Sequence, residues 1–201
     1  MTVSDVPSPR RAPAILLSVA LLAALGAGVW LLRPAPPQVL PAPGLDGPVD
    51  AAGLRGEGYG VTLAVLAAVY AAFAETEERA IYDGLAQVAA GDALEDLYLE
   101  RAGALATGGL PDQVVHELSL TDGTWRMEGE VMTADVRWAV LGEVGHAEHT
   151  HIRGNAYAAE LTIAPAEGAW RLTGFRLTDV DRTEAGTLTT LPGGDAGSSD
   201  G

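Results

Sequence analysis

The sequence predicts an α+β fold: a single N-terminal transmembrane helix, then three helices packed on a curved antiparallel four-stranded sheet. Three observations predict it. Residues 12 to 32 carry no charge. Between residues 61 and 105 apolar side chains recur at helical spacing. From Gln113 the period changes to two, the spacing of strands.

The uncharged run "APAILLSVALLAALGAGVWLL", residues 12–32, is 21 residues long. At 1.5 Å per residue it spans roughly 30 Å, enough for the hydrocarbon core of a bilayer. Arg10 and Arg11 precede it, and Trp30 lies near its far end, where an indole suits the interface. This basic bias predicts a single-pass membrane protein. Residues 1–11 are then the cytoplasmic N-terminus, and the C-terminal domain is periplasmic or extracellular. A cleaved signal peptide is the rival, but its apolar region is shorter and ends at small residues. Here the run passes Gly26, Ala27 and Gly28 and continues through Leu32. An arginine pair before a membrane segment is ordinary topology, so Arg10–Arg11 is a weak export signal.

The net charge is −15, with all twelve basic residues arginine. Such a surface repels phosphate backbones, so nucleic acid is excluded as a partner. With no cysteine, disulfides and thiolate metal sites are excluded as well.

Residues 33–55 read as a proline-rich stalk, with six prolines in the fifteen positions 34–48. Proline fixes φ and removes a donor, so the segment favours an extended chain. The tail, 185–201, has little to bury and reads as disordered. The extracytoplasmic domain is therefore 56–184.

Within it, "VTLAVLAAVYAAFA" (61–74) is too short to span a bilayer and reads as a buried core helix. Leu63, Leu66, Tyr70 and Phe73 supply its spacing. Thr76 resembles an N-cap for a second helix carrying Ile81, Leu85 and Val88 and stopping at Gly91. Asp92 caps the third, with Glu95 at the capping-box position. Leu94, Leu97, Tyr98, Arg101 and Leu105 continue it until Gly108, Gly109 and Pro111. Four strand-like runs follow at about 113–121, 125–144, 149–164 and 169–181. The second is long, with an expected interruption near Gly129. Asp122-Gly123 and Glu167-Gly168 are the turn signals between them.

Three helices followed by a meander closing on "GAWRLTGFRLTD" (168–179) resemble the cone-shaped nuclear-transport-factor-two-like fold. The resemblance covers about 60–181 and implies a concave pocket between helices and sheet. "AIYDGLAQVAAGDALEDLYL" (80–99) and "GHAEHTHIRGNAY" (145–157) are similar to a group of membrane-anchored bacterial domains with no assigned activity. The fold hosts enzymes, binders and assembly domains alike, so it implies no function.

The segment 145–157 concentrates the chemistry. His149, His151, Arg153, Asn155 and Tyr157 share one strand parity, continued by Ala159, Leu161 and Ile163. The preceding strand has an apolar even face: Ala134, Val136, Trp138, Val140 and Val144. A four-residue loop at 145–148 pairs Val140 with Arg153 and Trp138 with Asn155, and turns the polar row inward. A three-residue loop pairs Glu143 with His151 and turns it to water. The inward register is favoured because it buries Leu161 and Ile163 without a bulge. It predicts a ligand-binding pocket of His149, His151, Arg153, Asn155 and Tyr157 beside Trp138.

Three chemistries compete for this row. Arg153 between His151, Asn155 and Tyr157 suits a carboxylate or phosphate-like anion. The same residues can instead form an internal ion-pair network with Glu143, Asp135 or Glu148. His146, His149 and His151 can supply imidazoles to a transition metal, although Arg153 on the same face repels a cation. No catalytic residue is assigned: there is no cysteine, no G-x-S-x-G turn and no H-E-x-x-H helix. No cofactor other than that metal is expected. His116 stands alone on the first strand as a structural residue, and Asp179 and Asp181 are solvated. The anchor, the spacer and the missing catalytic set point to a non-enzymatic accessory or assembly domain. Its expected partners are the lipid bilayer, through 12–32, and another envelope protein. The alternatives are a small-ligand pocket protein or enzyme using His149, His151, Arg153 and Tyr157, with His149 or His151 as general base, and a periplasmic transition-metal binding protein.

Overall fold

The computed structural model describes residues 37–188 except 108–112 and 147–148; the side chains of 113–114, 143–146, 149–153 and 182–188 also lie outside the description. The chain divides after Pro37. The expected anchor at 12–32 and most of the expected tail fall outside the described residues. No helix among the described residues is long and apolar enough to cross a membrane.

The described chain is α+β. Four helices, α1 (Ala51–Gly56), α2 (Gly58–Ala74), α3 (Glu78–Ala86) and α4 (Asp92–Ala106), precede four strands. These are β1 (Gln113–Glu128), β2 (Val131–His146), β3 (His149–Ala166) and β4 (Ala169–Leu188). The sheet order is β1-β2-β3-β4 and each neighbouring pair is antiparallel.

The stretch 33–55 is not all stalk: from Gln38 onward it is folded. Leu40 and Val49 form an antiparallel bridge, Ala42 is buried, and Asp50 caps α1 by accepting from Gly53 N at 2.8 Å. Trp170 explains the correction. Its ring is fully buried, its backbone N donates to Pro41 O at 2.8 Å and its Nε1 to Val49 O at 2.9 Å. A buried indole requires a partner for its N–H, and the proline-rich segment supplies it. Proline composition marks an extended chain; it does not mark a free one.

In α2 the buried positions are Gly58, Val61, Thr62, Val65, Leu66, Val69 and Ala72. The sequence stripe of Leu63, Leu66, Tyr70 and Phe73 is therefore rotated by about one position. An uncharged run has no charged residue to mark the outward side, and its polar Thr62 is buried, so periodicity alone does not choose the face. Thr76 is not the N-cap of α3; Glu77 is, with extended backbone and no side-chain bond. Asp92 is likewise the first residue of α4, after Gly91 at φ 58°. The second helix also stops earlier than Gly91. Residues 88–90 leave it to pair with β4, with Leu172 N donating to Val88 O (2.8 Å) and Ala90 N to Leu172 O (2.9 Å).

The first two strands are divided differently from the sequence reading. Asp122-Gly123 is not a hairpin turn. It lies inside β1 at a register irregularity between Leu120 and Asp122, and the hairpin falls at Gly129-Glu130, with Gly129 at φ 62°. Gly123 is needed for another reason: a Cβ there would collide with the Trp125 ring. Gly58 of α2 serves the same indole, since its Cβ would stand 2.8 Å from the ring. Trp125 thus wedges between helix and strand, and its Nε1 donates to the buried Thr62 hydroxyl at 2.9 Å. Glu167-Gly168 is a two-residue hairpin between paired Ala166 and Ala169, both at positive φ as a type I′ turn requires.

The core lies between the helices and one sheet face. Met132, Ala134, Val136, Trp138 and Val140 of β2 and Ala159, Leu161 and Ile163 of β3 are buried with Trp170 and Leu172 of β4. Val61, Val65 and Leu66 of α2, Ile81 and Leu85 of α3, and Leu94 and Leu97 of α4 close it. Two arginines fasten helix ends. Arg101 donates to Glu75 O at 3.2 Å beyond α2, and Arg171 donates to Ala86 O at the end of α3. Both place a cation at the negative end of a helix dipole.

Candidate functional site

The β2–β3 register decides what the polar row sits beside. His146 pairs with His149, so only residues 147 and 148 separate the strands. Neither sequence register is the observed one. The parity is that of the inward register, but every pair is displaced: Trp138 pairs with Tyr157, not Asn155, and Val140 with Asn155, not Arg153. Gly142 then pairs with Arg153 and Val144 with His151. The connection carries no glycine at 146–148, and without a turn residue its length was not legible.

Trp138 is 2% exposed, and its ring stacks on Tyr157 with centroids 5.3 Å apart and planes 20° from parallel. Its Nε1 donates to the Tyr70 hydroxyl of α2 at 3.0 Å. Burial pushes the Tyr70 phenol up to about 12; Tyr157 and Glu100 add to the rise, and the bond from Trp138 opposes it. Tyr70 is therefore a neutral phenol at physiological pH. It anchors the indole and has no character of a base or nucleophile.

These contacts also fix how far α2 reaches. Thr62 meets Trp125, opposite Ala134, and Tyr70 meets Trp138, so α2 runs in the direction of β2. Four residues of α2 follow Tyr70, about 6 Å of helix. Eight residues of β2 follow Trp138, roughly 26 Å of strand. The sheet thus continues for roughly 20 Å past the end of α2.

Two side chains on β4 border this transition. Val180 pairs with Tyr157 and Leu177 with Ala159, which puts both on the helix-facing side. They are 37% and 43% exposed. Half-buried Asn155 is next along β3. Past the end of α2 the sheet therefore presents half-buried Tyr157, stacked on the buried Trp138 ring, with two exposed aliphatic side chains and one amide.

Of the expected site residues, Trp138, Asn155 and Tyr157 are brought together here. His149, His151 and Arg153 occupy β3 positions of the same parity, and their side chains lie outside the described residues. The same holds for the expected metal set His146, His149 and His151. Among the described residues no three of His, Cys, Asp or Glu are grouped to hold a metal ion. The expected inner wall of Leu161, Ile163 and Trp138 is packed into the core. A shallow depression of about 330 Å³ is lined by Glu117, Ala139, Leu141 and Ala156 together with Val140 and the expected site residue Asn155.

The sequence reading missed Tyr70, Leu177 and Val180 as neighbours of this site. Tyr70 had one available signal: a hydroxyl in an uncharged helix must find a partner. Leu177 and Val180 differ by three positions yet share a face because of the irregularity at Thr178, between the pairs of Ala158 and Ala159. Simple alternation separates them.

No family model matches this chain, and no curated protein matches it. Among solved structures it is similar to the intermembrane space region of chloroplast protein ARC6, at 15% identity and a TM-score of 0.40. That match covers 64% of this chain and 96% of the other.

Proposed function

We propose that this protein is a membrane-tethered extracytoplasmic domain of the nuclear-transport-factor-two-like kind, a non-enzymatic accessory or assembly module for another envelope protein. One observation carries the reading: Leu177 and Val180 are solvent-exposed on the helix-facing side of the sheet, beside the Trp138–Tyr157 stack. Exposed aliphatic groups beside a packed aromatic stack, near the end of α2, suit a protein contact better than bond-making chemistry. The uncharged run at 12–32 supplies the anchor, and Arg10 and Arg11 hold residues 1–11 in the cytoplasm.

A photo-cross-linker at position 180 in native membranes tests the contact. A discrete adduct with one envelope protein, lost in Leu177→Ser, is expected. Recovery of the protein without any partner overturns the reading. Protease added to intact spheroplasts is expected to degrade the chain beyond about residue 34, and full protection until lysis reverses the topology.

A second reading, a small-ligand pocket protein or enzyme using His149, His151, Arg153 and Tyr157, is favoured by the parity these positions share on β3. Burial beside Arg153 lowers a histidine pKa, whereas a nearby carboxylate raises it. NMR titration of the full chain separates the cases: upward movement of both His149 and His151 sinks the pocket. Failure of both signals to respond to stoichiometric zinc, copper or nickel sinks the metal alternative.

A further inference from the structure

The outer surface of α3 and α4 carries a different chemistry from the sheet past the end of α2. Residues 75–100 hold eight acidic side chains against one basic, Arg79, a net −7 that is close to half of the chain's −15. All eight acidic residues are exposed. The single arginine is already engaged in an i,i+4 pair with Asp83 at 3.7 Å.

Two large apolar side chains stand inside this acidic field. Leu99 is 57% exposed and continues the outward stripe of α4 that runs through Asp92, Glu95 and Asp96. Tyr82 is 46% exposed on the outward stripe of α3, flanked by Glu78, Arg79 and Asp83. Its ring meets Tyr98 of α4 edge-on, with centroids 5.6 Å apart and planes at 84°, so it is held in place while still facing water. Apolar centres with a charged rim form the usual pattern of a protein interface.

Charge selects the occupant. A second copy would set one −7 surface against another, and an anionic lipid headgroup or nucleic acid meets the same repulsion. A cationic segment meets complementary charge along both helices, and an arginine can lie over the Tyr82 face while carboxylates hold its neighbours. We propose that the α3–α4 face is a docking surface for a basic, apolar-centred segment of a partner protein, with Leu99 and Tyr82 as its apolar contacts. This rests on the reading of the domain as a protein-docking module, but uses a different surface from Leu177 and Val180.

The test uses the purified full chain in zwitterionic nanodiscs and a synthetic helical peptide carrying a leucine stripe flanked by arginines. Empty nanodiscs correct for peptide bound to lipid. Peptide binding is expected to weaken about tenfold in Leu99→Ser and in Tyr82→Ser, to be unchanged in Leu141→Ser, and to vanish when glutamate replaces the peptide's arginines. Leu99→Ser and Tyr82→Ser leave the protein's charge unaltered, so they separate docking from bulk attraction. Wild-type affinity in both variants, with unchanged melting temperatures, overturns the proposal. So does loss of binding in Leu141→Ser, which lies on the outer sheet face. The position-180 cross-link is expected to persist in Leu99→Ser, so failure of one surface is distinguishable from failure of the other.

Discussion

The indole of Trp138 and the phenol of Tyr70 form the hydrogen bond that fastens α2 to the centre of the sheet, at 3.0 Å. Trp138→Ala removes this bond, the stack on Tyr157 and most of a buried indole. It is expected to cost roughly 3–5 kcal/mol in denaturant unfolding. Tyr70→Phe keeps the ring and strands a buried N–H, at about 1–3 kcal/mol. A melting temperature unchanged in Trp138→Ala is incompatible with the burial described.

Alkaline stability follows from the same pair. The Tyr70 pKa is raised from 10.0 to about 12 by burial. The folded state therefore holds this proton more tightly than the unfolded chain. Its contribution is complete below the unfolded pKa and is lost as pH rises from 10 through about 12. Stability curves for the parent and Tyr70→Phe are expected to converge over that window. Curves that remain parallel would assign the loss to another group.

Gly58 gives way to the Trp125 ring, which stands 2.8 Å from any added Cβ. Gly58→Ala is expected to displace the indole, weaken its bond to Thr62 and cost about 1–3 kcal/mol. A shifted Trp125 Nε1–H resonance checks the mechanism. An unmoved resonance with unchanged stability would show that helix and strand part without strain.

Removing residues 1–50 takes away Pro41 O and Val49 O, the two acceptors of Trp170. A chain beginning at residue 51 is expected to unfold at lower denaturant than one beginning at residue 38, by at least about 2 kcal/mol for two unsatisfied buried donors. Equal midpoints would return the whole of 33–55 to the role of a spacer.

The order of helices and then strands was legible in the sequence because periodicity belongs to neighbours along the chain. The change from a spacing of three and four to a spacing of two at Gln113 marked it. So was the parity that sets Trp138 with Tyr157 and Leu161 on one side, since alternation survives any even shift of register. Pairing partners were not legible. Asp122-Gly123 has the composition of a turn, yet its glycine makes room for the Trp125 ring, whose place is set by distant Thr62 and Gly58 of α2. The proline-rich segment showed no sign that Trp170, over a hundred residues away, would need its carbonyls. The exposed Leu177 and Val180 share a face only because an irregularity breaks their alternation. Local sequence thus determined which elements form and which side of each strand is apolar. Tertiary structure alone decided what those sides meet, because a buried polar group or ring is satisfied by whatever the fold brings close, at any distance along the chain.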